Sequence, residues 1–214
     1  MKSMSRIWLR MQRSAAHMLD DCTGIAATEF AVIAPVMLLM FFGTVEISTG
    51  VAVDRKVSLV ARTLADLTSQ TSVAMGDTDM QNVFTASIAV VKPYLPTPTK
   101  ATLSEIYIDS KGVAKVQWSK AATIDSDTAK QSTLAPSSRI PGDIITTVPA
   151  ALLQATQTYV IFSEVSYLYT PAVGYVMGKA GVTLSDVAYS RPRQVTCVIY
   201  NNLPVSPAQA CPNT

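Results

Sequence analysis

The stretch "GIAATEFAVIAPVMLLMFFGTVE", residues 24–46, has the length and polarity of a helix that crosses a membrane. Residues 25–45 contain one charge, Glu29, and residues 30–45 contain none. At 1.5 Å rise per residue the run is about 30 Å long, enough to cross a hydrocarbon core. Two residues sit awkwardly in it. Hydrocarbon penalises a charge such as Glu29 by about 2.5–3.5 kcal/mol on insertion scales. Pro35 has no amide hydrogen, so it kinks or loosens a turn near Ala31 and leaves a carbonyl for neighbours or local adjustment to satisfy. A charge inside a membrane is by default a residue with a task, and Glu29 is the first candidate functional residue. Glu46 follows 17 residues later, on a different helical face. It marks either the outer membrane boundary or a second pairing site.

Upstream of the run, Lys2, Arg6, Arg10 and Arg13 stand against Asp20 and Asp21. By the positive-inside rule this basic leader keeps the N-terminus cytoplasmic, and the chain beyond Glu46 is then extracytoplasmic. Two competing readings are a buried core helix and a signal peptide cleaved among the small residues 47–52. The apolar run is longer than a usual signal core. The whole chain has 214 residues, 49% of them hydrophobic and 15% charged, with a mean hydropathy of +0.27. That suits one span plus one modest globular region. From Ile25 onward 13 basic residues balance 13 acidic ones, which gives no support for nucleic-acid binding.

The helical pattern continues past the span. Val53, Val57, Val60, Leu64 and Leu67 form a stripe of heptad type, so one helix is expected to run from Ile25 to near Ser69. Its outer half packs either on its own domain or on other helices. Asp79 is expected to cap a shorter helix from Met80 to near Val91, ended by Lys92-Pro93. Pro93, Pro96 and Pro98 mark a linker. "TLSEIYIDSKGVAKVQWS", residues 102–119, alternates as a β-hairpin does, with a turn at Ser110-Lys111-Gly112. Residues 120–141 read as loop, and Asp143 as the cap of a short helix ending at Leu153. "QTYVIFSEVSYLYT", residues 157–170, is the strongest strand. Residues 182–189 and 195–200 are two more. The fold class expected is α+β: a long N-terminal helix, transmembrane and continuing outward, followed by a small antiparallel sheet domain. The divisions expected are 1–24 leader, 25–46 span, 47–92 extracytoplasmic helical region and 93–214 β-rich domain.

The order of features is specific. Gly24 is followed by a short segment ending in Glu29-Phe30, then Ala34-Pro35, the apolar run 36–42, and Gly43 with Glu46. This resembles the N-terminal segment of the TadE/TadG-like pilus assembly proteins, most closely over residues 22–70. The stretch "YLYTPAVGYVMGKAGVTLSDVAYSRPR", residues 167–193, is more loosely similar to the C-terminal part of some members. The length suits the TadE-like kind, with a domain of pilin type. The resemblance implies a minor pilin or pseudopilin in assembly of a Flp/Tad-type pilus, an adhesion or secretion apparatus. It also implies cleavage between Gly24 and Ile25 by a prepilin peptidase. Partners would be that peptidase, other pilin and pseudopilin subunits, the inner-membrane assembly platform and the lipid bilayer. The place would be the bacterial inner membrane, single-pass, with the C-terminal domain periplasmic, or the pilus itself. Cleavage frees an α-amino group on Ile25, largely cationic at neutral pH. Glu29, then the fifth residue, can neutralise it within the chain or on a neighbouring subunit. The alternative is that Glu29 snorkels to cytoplasmic water.

Removal of the leader would take away Cys22 and the lone histidine, His17. Cys197 and Cys211 then remain, either as a disulfide in an oxidising space or as two free thiols. Without histidine, Ser-His-Asp and Cys-His systems and the usual zinc sites are excluded. No phosphate-binding Gly-rich loop occurs among nine glycines. No catalytic residue, metal or cofactor is expected. The alternative function is a single-span, membrane-anchored periplasmic binding or sensor domain. Arg191-Pro192-Arg193 reads as a solvated turn or an anion or partner contact.

Overall fold

The computed structural model describes residues 24–72, 74–171 and 181–201. Helix α1 spans Gly24–Ser69, 46 residues with Pro35 inside. It passes from one compact unit, ending at Ile47, into a second that begins at Ser48. The second unit continues with α2 (Asp77–Ile88), a 3-10 turn (Ala89–Val91), β1 (Thr99–Ile108), β2 (Ala114–Thr123) and β3 (Thr133–Pro136). After these come α3 (Ala150–Leu153), β4 (Thr158–Tyr169) and β5 (Val182–Ser190). The fold is α+β: a long apolar N-terminal helix ahead of one five-stranded antiparallel sheet, ordered β3-β2-β1-β4-β5.

Within the second unit α1 buries Val53, Val57, Val60, Ala61, Leu64 and Ala65 in the main core. Each large apolar side chain so buried contributes about 1.5–3 kcal/mol. The stripe departs from the heptad expected. Leu67 is half-buried and Thr68 fully buried, its hydroxyl donating to the Leu64 carbonyl at 2.9 Å. A straight helix of 3.6 residues per turn drifts against a 3.5 repeat, so the buried face moves on to position 68. A broad stripe of this kind is what packing on a globular core requires.

Strand alternation sends side chains to two apolar clusters. Leu103, Trp118, Ile161 and Val165 join α1 and α2, with Met80, Phe84 and Ile88 from the latter. Ile106, Ile108, Val116 and Phe162 pack with Ile145 and Val148. Opposite β1, Glu105 pairs with Trp118 but Ile106 pairs with Val116, so Gln117 is an extra residue on β2. This bulge explains how even-numbered β2 residues serve both clusters: Ala114 and Val116 one, Trp118 and Ala122 the other. Helix and sheet are also tied by Ser163, whose hydroxyl donates to the Ala61 carbonyl at 2.7 Å.

Four expectations need correction. Asp79 is not the cap of α2: the helix starts at Asp77, and the Gly76 amide donates to Asp79 Oδ2 at 3.1 Å, placing Asp79 in the first turn. The loop expected over 120–141 holds the end of β2 and all of β3, because the outer edge of β2 needs partners for its backbone. Asp143 caps no helix. The Val116 amide donates to its carbonyl, Ile145 N–H donates to the Ala114 carbonyl, and α3 begins only at Ala150 after Pro149. Finally, 195–200 is not a strand; only Tyr200 forms an isolated bridge, with Met75. Side chains satisfy Val198 instead, as described below. The hairpin turn does fall where expected. Asp109 Oδ1 accepts the Lys111 and Val113 amides at 2.8 and 2.9 Å, and Gly112 takes φ +75°.

Candidate functional site

From Ala26 to Phe42 every described side chain except Ala34 is exposed. Phe30 is 71% exposed and Leu39 75%, on a helix long and apolar enough to cross a membrane. An apolar surface of this extent needs lipid or protein against it. Gly24 is the first described residue of α1, and among the described residues a side chain there would meet nothing within 4 Å. Ile25 follows within the helix, and Glu29 and Phe30 lie one turn further on, exposed. Thr28, Glu29, Val32 and Ile33 border one shallow depression on the helix surface. Pro35 is inside the helix without ending it. Glu46 is half-buried.

The other candidates fall elsewhere. Cys197 is buried in the second unit. Cys211, Cys22, His17 and the basic leader lie outside the described residues. Among the described residues no group of three His, Cys, Asp or Glu side chains is placed to hold a metal ion.

The second unit has a polar centre that the sequence reading did not find. Glu105 is 2% exposed. Its carboxylate accepts the Val198 amide at 2.6 Å and Trp118 Nε1–H at 3.1 Å. Trp118 Nε1–H also donates to the Val198 carbonyl at 2.7 Å. The segment 195–201 is thus clasped by two side chains of the β1–β2 hairpin. Burial pushes the Glu105 carboxyl up to about 8, against the pull of its two N–H donors. Next to it Tyr200 packs on Trp118, ring centroids 5.6 Å apart, and its hydroxyl donates to Asp77. That hydrogen bond, with one from Asn201, holds the Asp77 carboxyl below its ordinary value. The signal for Glu105 was present in its spacing. It stands two residues after Leu103 in an alternating strand, on the side that faces the core.

Residues 24–66 match the family described as TadE-like protein. The chain carries a TadE-like segment. It covers the apolar stretch and nearly all of the outer half of α1, and the sheet lies beyond it. No curated protein matches the chain, and no solved structure matches it. The TadE-like segment supports involvement in a Tad pilus system and association with other pilus components. Every sequence candidate from Gly24 to Glu46 lies inside it, whereas Glu105, Trp118 and Cys197 lie outside.

Proposed function

We propose that the protein is a minor pilin or pseudopilin-like structural subunit in assembly of a Flp/Tad-type pilus. The observation that carries this reading is the TadE-like match over 24–66 on a single helix whose apolar half is exposed. In this reading residues 25–46 sit in the inner membrane, with the leader cytoplasmic and the sheet domain periplasmic. A prepilin peptidase cuts between Gly24 and Ile25. Glu29 then neutralises the new amine, on its own chain or on an adjacent subunit, and sets the register of packed helices. Phe30 and the apolar face around Pro35 contact lipid or neighbouring subunits. The role is structural, without catalysis or a cofactor.

N-terminal sequencing of the membrane-extracted protein tests the processing step. The expected first residue is Ile25. An intact leader, or a start near Ala52, overturns it. In the same reading Cys197 and Cys211 form a disulfide in the oxidising periplasm, stabilising by roughly 3 kcal/mol in the chain-entropy model. Peptide mass spectrometry with and without reduction checks this. A linked Cys197–Cys211 peptide is expected, and alkylation of both thiols without reductant excludes it.

A further inference from the structure

In the second unit α1 lies along β4 and β5 in a fixed sense. The Ser69 carbonyl accepts the Arg193 amide at 2.8 Å, and the Ala61 carbonyl accepts the Ser163 hydroxyl at 2.7 Å. A side chain at Gly50 would lie 3.6 Å from the Tyr169 ring. The end of the sheet beside Gly50 is therefore where β4 finishes and β5 starts. Tyr169 pairs with Val182 there, and the Leu168 amide donates to the Pro98 carbonyl at 3.3 Å, which brings the turn ahead of β1 to the same end. Eight large apolar side chains stay exposed among the described residues of the second unit, and four of them gather here: Val51, Leu95, Leu168 and Val182. Residues 48–53, 93–99, 165–171 and 181–185 carry no charge. Tyr94 and Tyr169 are half-buried beside the exposed four. Charges stand only at the margin: Lys92 and Lys100 flank 93–99, and Asp127 accepts the Thr97 hydroxyl at 2.6 Å.

Resting on the reading that residues 25–46 span a bilayer, we propose that this end of the second unit lies on the membrane surface, with Leu95, Leu168 and Val182 set among the lipid headgroups. The tether selects lipid as the occupant. Gly50 follows Glu46 by four residues, and four residues reach at most about 14 Å in any backbone conformation. The patch is therefore held close to the point where the chain leaves the bilayer. A folded soluble partner, about 30 Å across even for a small domain, has no room there. The chemistry agrees with the tether. An uncharged apolar patch with tyrosines beside it suits the boundary between headgroups and hydrocarbon, where a tyrosine ring is buried and its hydroxyl stays wet. The opposite end of β1 is polar. Nine strand steps away, about 30 Å, stand Asp109 and Lys115, paired at 3.3 Å, and Lys111 of the hairpin turn. Since the patch bears no cation, its contact needs no anionic lipid.

The test uses the full chain in nanodiscs of neutral phosphatidylcholine, with and without bromine on the acyl chains near the headgroup. Leu168→Trp reports the patch, and Leu95→Trp reports it from a second segment should the first variant misfold. Ile144→Trp is the control, exposed and bridged to Lys115 near the opposite end. Emission of the unsubstituted chain is subtracted to remove Trp8 and Trp118. Bromine is expected to quench about half or more of the emission added at 168 and 95, and almost none of that added at 144. No quenching at 168 and 95, in a chain that still co-elutes with the nanodisc, overturns the proposal and leaves the span reading standing. A chain that does not co-elute overturns the span reading and the proposal together. Equal quenching at 144 also overturns it. Emission at 168 that neither bromine nor aqueous acrylamide quenches assigns the cover to the connection 172–180, which lies outside the described residues, and excludes lipid. The same protection found only with several chains per nanodisc assigns it to a neighbouring subunit.

Discussion

Glu29→Ala is expected to leave the protein in the membrane and to strip the cell of pili. The substitution removes the only charge between residues 25 and 45. Insertion therefore becomes easier, since a charge there costs about 2.5–3.5 kcal/mol. If the carboxylate only snorkelled to cytoplasmic water, its loss would change nothing further. In the proposed reading it compensates the amine of Ile25, and the loss strands that amine in hydrocarbon. An unpaired charge of about 3 kcal/mol corresponds to roughly a hundredfold in an association constant. Carbonate extraction measures insertion, and electron microscopy measures piliation. Normal piliation by the variant removes the pairing role. Glu46→Ala is the internal comparison: a carboxylate at the membrane boundary predicts a smaller defect.

Raising the pH from about 5 to about 8 is expected to weaken the folded second unit, and Glu105→Gln to flatten that dependence. Burial lifts the folded Glu105 carboxyl from an ordinary 4.5 to about 8. Between these values the folded chain holds a proton that the unfolded chain has lost. The contribution is fully present below about pH 4.5 and is lost as pH rises through about 8. One proton sets a limit of about 1.4 kcal/mol per pH unit across the interval. Asp77 and Asp109 act in the opposite sense: their lowered values add stability above the ordinary carboxylate range that is lost on acidification. Their titration falls below the window, so among the described residues with a shifted value the slope between pH 5 and 8 belongs to Glu105. Urea midpoints of the detergent-extracted chain at several pH values read it out. A flat wild-type profile, or a slope retained by Glu105→Gln, sinks the account. The glutamine keeps a carbonyl oxygen to accept one of the two N–H donors, which separates loss of titration from loss of the clasp.

Local patterning made much of this fold legible. The apolar stripe of α1 as far as Leu64, the alternation in β1, the β-branched and aromatic content of β4 and the turn at Ser110-Lys111-Gly112 each depend on residues a few positions apart. The errors share one cause, dependence on distant partners. β3 became a strand because the β2 edge lay open beside it, although 133–136 contains Pro136 and little β-branched character. Residues 195–200 look like a strand by composition. Glu105 and Trp118 take the Val198 amide and carbonyl, and only Tyr200 is left to bridge to Met75. Asp79 looked like a cap because it precedes the apolar positions of α2, but Gly76 opens the helix earlier and Asp79 serves its first turn.

The sequence by itself determined the long N-terminal helix, the single charge within residues 25–45 of it, the α+β order and the TadE-like segment. All of these follow from polarity and spacing along one stretch of chain, where a hydrophobic run or a turn residue acts through its near neighbours. Tertiary structure alone decided the environment of Glu105, the clasp on Val198, the pairing of Asp66 with Arg193 and the place of β5 at the end of the sheet. Those features join groups tens of residues apart, and their energetics depend on burial and on which neighbour arrives first. A carboxylate in an alternating strand reads the same whether water or a tryptophan stands before it, and only the packed sheet distinguishes the two.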